Sequence, residues 1–138
     1  DADLSPDGNT LAISSRDGTA TLWDWQAGQL LHVLIVSPGH SDSNIVSAVK
    51  FDPIEPVVAT ACHDNRVIFW STRTGRQLAD INVDEQHQRG FGPTGLLKDI
   101  AFSPDGKTLA ITVGNDIWCL DLGYFDQQIS NLENTLGH

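Results

Sequence analysis

The stretch Ser5-Pro6-Asp7-Gly8-Asn9-Thr10-Leu11-Ala12-Ile13-Ser14-Ser15-Arg16-Asp17-Gly18-Thr19-Ala20-Thr21-Leu22-Trp23-Asp24 decides how the chain is read, because its pattern returns twice. Asp52-Pro53-Ile54-Glu55 and Ser103-Pro104-Asp105-Gly106 stand where Ser5-Pro6-Asp7-Gly8 stands, at intervals of about fifty residues. The same short spacing then leads to three apolar runs, Leu11-Ala12-Ile13, Val58-Ala59-Thr60 and Leu109-Ala110-Ile111. An equal step reaches Asp17, Asp64 and Asn115, each in a polar turn, and a further one reaches Trp23 and Trp70. The third copy drops one residue here and places Leu120 in the Trp position.

The repeated unit reads as strands. Val49-Lys50-Phe51 and Ile100-Ala101-Phe102 are short and alternate in polarity, and Ser-Pro-Asp-Gly supplies a type I turn with its Pro preset. Val57–Cys62 and Val67–Trp70 are apolar on both faces, as suits strands held between neighbouring sheets. Asp17-Gly18 and Asp64-Asn65 accept the positive φ of a tight hairpin. Fourth strands are expected at Gln29–Val36 and Arg76–Val83. No sustained helical period appears, so the chain is all-β. Four short antiparallel strands per repeat is the pattern of a propeller blade, which buries its faces by stacking on its neighbours.

The run Ser5–Ala12 followed by Arg16–Asp24 closely resembles the WD repeat, with Gly39-His40 ahead of the second copy and Gly137-His138 at the end of the chain. The resemblance implies a WD-repeat β-propeller of about three four-stranded antiparallel blades in an incomplete ring. It assigns an N-terminally truncated first repeat to 1–38, a second to 39–83, a long connection to 84–96, a third, degenerate repeat to 97–136 and the start of another at 137–138. It further implies a structural hydrogen-bond set of His40, Thr60, Asp64 and Trp70 in the second repeat. The first repeat keeps Asp17 and Trp23 of that set, with Ile13 in the hydroxyl position. The third has Ile111, Asn115 and Leu120 and relies on packing. In this family the loops before the first strand and between the second and third share one end, which makes Arg16, His63 and, after them, Arg66 the candidate partner-binding residues. Ile100–Leu122 also resembles the repeats of TolB-like and peptidase-associated propellers.

Little else could carry chemistry. His40, Asp64 and Thr60 have the residue types of a catalytic triad, but Thr60 lies mid-strand without an exposed elbow. Cys62-His63-Asp64 with His40 lacks paired ligand spacing, and adjacent strand residues face opposite ways. No catalytic residue, metal site or cofactor is expected. His32 and His87 read as isolated surface or edge histidines. Gly90–Gly95 lacks the Lys of a phosphate loop and belongs to the connection Asp84–Leu96, the longer counterpart of Ser37–Asn44. Trp25 has the character of a partner contact or of the cover of a blade edge, and the second reading is preferred.

A net charge of −10 disfavours phosphate backbones, and no apolar run approaches the ~20 residues of a membrane span. Neither a nucleic acid nor a membrane is therefore expected as partner. Two cysteines, Cys62 and Cys119, read as buried reduced thiols of a cytoplasmic protein. The chain opens without Met in a strand-like stretch, which predicts a piece of a longer protein. The expected function is a protein-interaction scaffold or sensor module of a larger multidomain protein, and not an enzyme. Its partners are a protein or peptide, together with further blades of the same protein or copies of itself. The alternative is an accessory propeller gating substrate for a hydrolase or peptidase domain outside this segment.

Overall fold

The computed structural model describes residues 1–36, 44–83 and 95–123. They form eleven strands: β1 (Ala2–Leu4), β2 (Thr10–Ser14), β3 (Thr19–Asp24), β4 (Gln29–Ile35), β5 (Val46–Phe51), β6 (Val57–Cys62), β7 (Arg66–Ser71), β8 (Gln77–Asn82), β9 (Leu97–Phe102), β10 (Thr108–Val113) and β11 (Asp116–Asp121). Pairing follows chain order and is antiparallel throughout, giving sheets β1–β4, β5–β8 and β9–β11. The first two are the expected four-stranded blades. The third has three strands among the described residues, and the remainder of its repeat lies outside them.

The registers show that the three copies are one design. Leu11 faces Trp23, Val58 faces Trp70 and Leu109 faces Leu120, so Leu120 does occupy the Trp position. A bulge falls immediately before Trp23 and before Trp70 in the pairing with the outermost strand. The residue lost from the third copy shortens its hairpin to the two-residue turn Gly114-Asn115. Gly18 (φ 86°) and Asn65 (φ 63°) take the left-handed conformation that these hairpins need, and Gly114 (φ 59°) does so in the third.

The first turn of each copy is closed by its own side chains. Ser5 Oγ donates to Asp7 Oδ1 at 2.6 Å and accepts from Thr10 N, while Asn9 N donates to Asp7. Ser103, Asp105, Lys107 and Thr108 repeat these bonds. These hydroxyls hold the Asp7 and Asp105 carboxyls below their usual pKa. The second copy has no Ser or Gly here, and buried Asp52 compensates by accepting from Ile54 N and Glu55 N.

The sheets stack face to face. Ala12, Ala20, Leu22 and Leu34 of the first share a core with Val49, Phe51, Val58, Ile68 and Trp70 of the second. From the other face of the second sheet, Val57, Ala59, Ala61, Val67 and Phe69 meet Ile100, Leu109, Ile111 and Leu122 of the third. Phe69 and Phe102 touch edge to face at 6.4 Å. Each seam thus marries a face centred on a small residue to one carrying the Trp position. Ala12, Ala59 and Ala110 occupy one register position on the small face, where Ala lets a neighbouring sheet approach.

Polar bonds cross the seams along the innermost strands. Asp3 accepts from Phe51 N at 2.8 Å, Asp1 accepts from Val49 N at 3.3 Å, and Lys50 pairs with Asp1 at 3.1 Å. Ser47 Oγ donates to the Leu97 carbonyl, and Asn65 Oδ1 accepts from Leu97 N. An innermost strand is a sheet edge, and these side chains satisfy backbone groups that its own sheet leaves open.

The outward faces differ from the sequence reading at one point. Cys62 is buried and its thiol is pushed up to about 11 by desolvation, but Cys119 is exposed. Cys119 takes the register position of Leu22 and Phe69, on the face of the third sheet turned away from the second, where Ile117 is 73% exposed. On the opposite outer face of the stack, Ile13, Val33 and Ile35 of the first sheet are likewise exposed.

If Ala59 is the point of closest approach, Ala59→Leu overpacks a formed seam and costs about 1–3 kcal/mol. Ala110→Leu, at the same register on a face with no neighbouring sheet among the described residues, changes stability by less than about 0.5 kcal/mol. Urea midpoints of the two variants check this, and equal losses would contradict the seam.

Candidate functional site

Antiparallel order puts the turns of each sheet at alternate ends. One end gathers the hairpins Ser15–Gly18, His63–Asn65 and Gly114-Asn115 with the approaches to the connections between sheets. Backbone bonds tie them together: Val36 N to Gly18 O, Val46 N to Ser15 O, His63 N to Ile45 O, Val83 N to Asn65 O and Gly114 N to Leu96 O. The family end expected from sequence is therefore a continuous surface. It brings Arg16 and His63 to equivalent places, each directly before a turn Asp.

These residues differ in availability. Arg16 is exposed and makes no ion pair among the described residues. His63 is half-buried, with its backbone N–H donated to Ile45 O. Arg66 is committed within its own sheet: its Nε donates to Asp80 at 3.1 Å, a second nitrogen also binds Asp80, and Nη1 reaches Asp64 at 3.4 Å. The Asp80 carboxylate raises the Arg66 pKa against the opposing effect of burial. A guanidinium held between two carboxylates presents little net charge to a partner.

Beneath this surface lies the polar set. Trp70 Nε1 donates to Thr60 Oγ1 at 2.9 Å, and Thr60 Oγ1 donates in turn to the Ile68 carbonyl at 3.4 Å. Both side chains are buried in the first seam. Asp64 turns its carboxylate to Arg66, accepting from Arg66 N as well as from the guanidinium, while His40 lies outside the described residues. Thr60 is fully enclosed, so its hydroxyl cannot meet a substrate as a nucleophile. Among the described residues no three His, Cys, Asp or Glu side chains group as metal ligands.

The first sheet solves the same problem differently. Ile13 fills the hydroxyl position, yet Trp23 Nε1 finds an acceptor in Thr21 Oγ1 at 2.9 Å. Thr21 is paired directly with Ile13, just as Ile68 is paired with Thr60. The Thr and Ile have exchanged strands, and the indole follows the hydroxyl. Asp17 closes its own turn by accepting from Thr19 N and Thr19 Oγ1, which holds its carboxyl below the usual range. Sequence reading missed Thr21, although a Thr facing the anomalous Ile13 was the available signal. It also missed Asn65 as a bridge to the third sheet and His32, whose ring packs on Gly75 of the next sheet. Trp25 lies at the other end, 47% exposed, with its indole N–H bonded to Gly8 O at 2.8 Å.

Trp70→Phe leaves the buried Thr60 hydroxyl without its donor, and Thr60→Val leaves the indole N–H unpaired. Each costs about 1–3 kcal/mol. Thr21→Val costs less, because Trp23 is only half-buried and water can reach its N–H. Thermal melts rank the three, and an unchanged midpoint for Thr60→Val would refute the pairing.

The profile of the family described as "WD domain, G-beta repeat" matches residues 1–24 and 28–71. The small ribosomal subunit protein RACK1 of Caenorhabditis elegans is 28% identical over 109 residues, covering 77% of this chain and 31% of the relative. The U5 small nuclear ribonucleoprotein 40 kDa protein of Pongo abelii is 36% identical over 63 residues, 46% of this chain and 16% of the relative. Apoptotic protease-activating factor 1 of Rattus norvegicus is 29% identical over 118 residues, 83% of this chain and 9% of the relative. The chain thus spans less than a third of the length of these curated relatives. Matching profile, stacked four-stranded sheets and repeated Trp register agree, and the chain belongs to the WD-repeat family through residues 1–71.

Proposed function

We propose that the chain is a protein-interaction scaffold that meets its protein or peptide partner at the end bearing Arg16 and His63. The observation that carries this reading is the contrast between the two arginines of that end. Arg66 is neutralised by Asp64 and Asp80, whereas Arg16 stands exposed, without an ion pair among the described residues, on a turn fixed by backbone bonds from Val36 and from Val46 of β5. A cation presented on a rigid turn binds without a large ordering cost. The names of two relatives, a ribosomal protein and a ribonucleoprotein component, accord with work inside assemblies.

The outer faces of the first and third sheets extend the proposal. Their exposed Ile13, Val33, Ile35 and Ile117 suit further blades, of the same protein or of another copy. His40, Asp64, Thr60 and Trp70 then act as a structural set beneath the binding end, and Asp17 with Trp23 as its counterpart in the first blade. No described helix is long and apolar enough to cross a membrane. Two free cysteines fit a reducing, cytoplasmic setting.

The test compares proteins retained by the wild type with those retained by Arg16→Glu combined with His63→Ala. The double variant is expected to melt as the wild type does and to lose a defined set of partners. Retention of the same set at the same yield would exclude this end as the binding surface.

A further inference from the structure

At the end of the stack opposite Arg16 and His63, the β5–β6 turn stands between two clefts. One, of about 300 Å³, separates it from the β1–β2 turn and runs outward to Thr72 and Arg73. The other, of about 270 Å³, separates it from the β9–β10 turn. Phe51 and Pro53 line both, so the two clefts share a wall. Pro6 and Pro56 add to the first, Phe102 and Pro104 to the second. Prolines offer apolar surface with no N–H of their own. The turns that carry these walls are locked by the bonds of Ser5, Asp52 and Ser103, so the clefts are formed in advance.

The charges of the first cleft enter no ion pair among the described residues. Asp7 lines it from one turn and Glu55 from the other, with Arg73 at its outer end. The bonds that Asp7 accepts from Ser5 and Asn9 both use Oδ1 and leave Oδ2 outside them. Glu55 and Arg73 make no side-chain ion pair among the described residues. Lys50, the cation of the second cleft, is already paired with Asp1. Ile54 rises 65% exposed beside Glu55. The first cleft therefore combines apolar wall residues, Pro6, Phe51, Pro53 and Pro56, with a polar lining that carries two carboxylates against one cation.

We propose that these paired clefts dock an extended peptide that seats two apolar side chains on either side of Pro53 and sets a basic residue against Glu55 and Asp7. Alternate residues of an extended chain point the same way, so two apolar side chains one residue apart can enter neighbouring clefts. The site is independent of the opposite end and stands whether or not Arg16 binds a partner.

The test is fluorescence anisotropy on the full chain with a labelled hexapeptide holding two leucines one residue apart, preceded by an arginine. The expected result is binding that weakens about tenfold when glutamate replaces the arginine. It is also lost when serines replace the leucines. Glu55→Gln, on an exposed turn, is expected to weaken binding about threefold to fivefold, whereas Arg73→Gln does not weaken it. Arg16→Glu with His63→Ala leaves it unchanged. Equal binding of the glutamate or serine peptides, indifference to Glu55→Gln, or loss in the Arg16–His63 variant would overturn the proposal.

Discussion

A β-sheet that is apolar on both faces needs a cover on each side, and the second sheet meets that demand. All six residues of β6 and five of the six in β7 are buried, which no isolated four-stranded sheet can achieve. Each Val, Ile or Phe taken fully out of water contributes about 1.5–3 kcal/mol, so the seams outweigh any single hydrogen bond in the chain. The stacking also explains the small residues. Ala12 permits approach in the seam that Trp70 and Phe51 fill, and Ala59 in the seam that Leu109 and Leu120 fill. Polar bonds then fix the sheets rather than drive them together, as when Asp3 caps Phe51 N and Asn65 accepts from Leu97 N.

The fold was legible because its information is local and repeated. Turn residues, apolar triplets and Trp positions recur in register, and each repetition multiplies the weight of a short motif. What remained hidden depends on pairs distant in sequence. That Trp23 bonds Thr21 follows from Thr21 facing Ile13 across two strands, a relation visible only once the register is known. The exposure of Cys119 had the same cause. Its strand looks like the buried strands of the other repeats, but its face has no neighbouring sheet among the described residues. Arg66 shows the limit for site prediction: its place beside a turn was readable, whereas its capture by Asp80 across β7 and β8 was not.

The same logic sorts structural from functional polar groups. Residues that are enclosed, such as Thr60 with Trp70, bond one another inside a seam. Those at the turns vary: Ser5 and Ser103 close their turns by the same hydroxyl bonds and Asp52 closes its turn with a carboxylate, which leaves the flanking side chains free to differ. Both proposed recognition surfaces lie on those turns, at the two ends of a stack whose seams keep them in place.

Native-state hydrogen exchange tests the central claim that the second sheet is stabilised from both sides. Amides of β6 and β7 should exchange slowest, through opening of the whole stack, with protection falling towards β4 and β11. Protection in β6 and β7 no greater than in β4 and β11 would mean that the sheets stand independently, and the stacked account would be wrong.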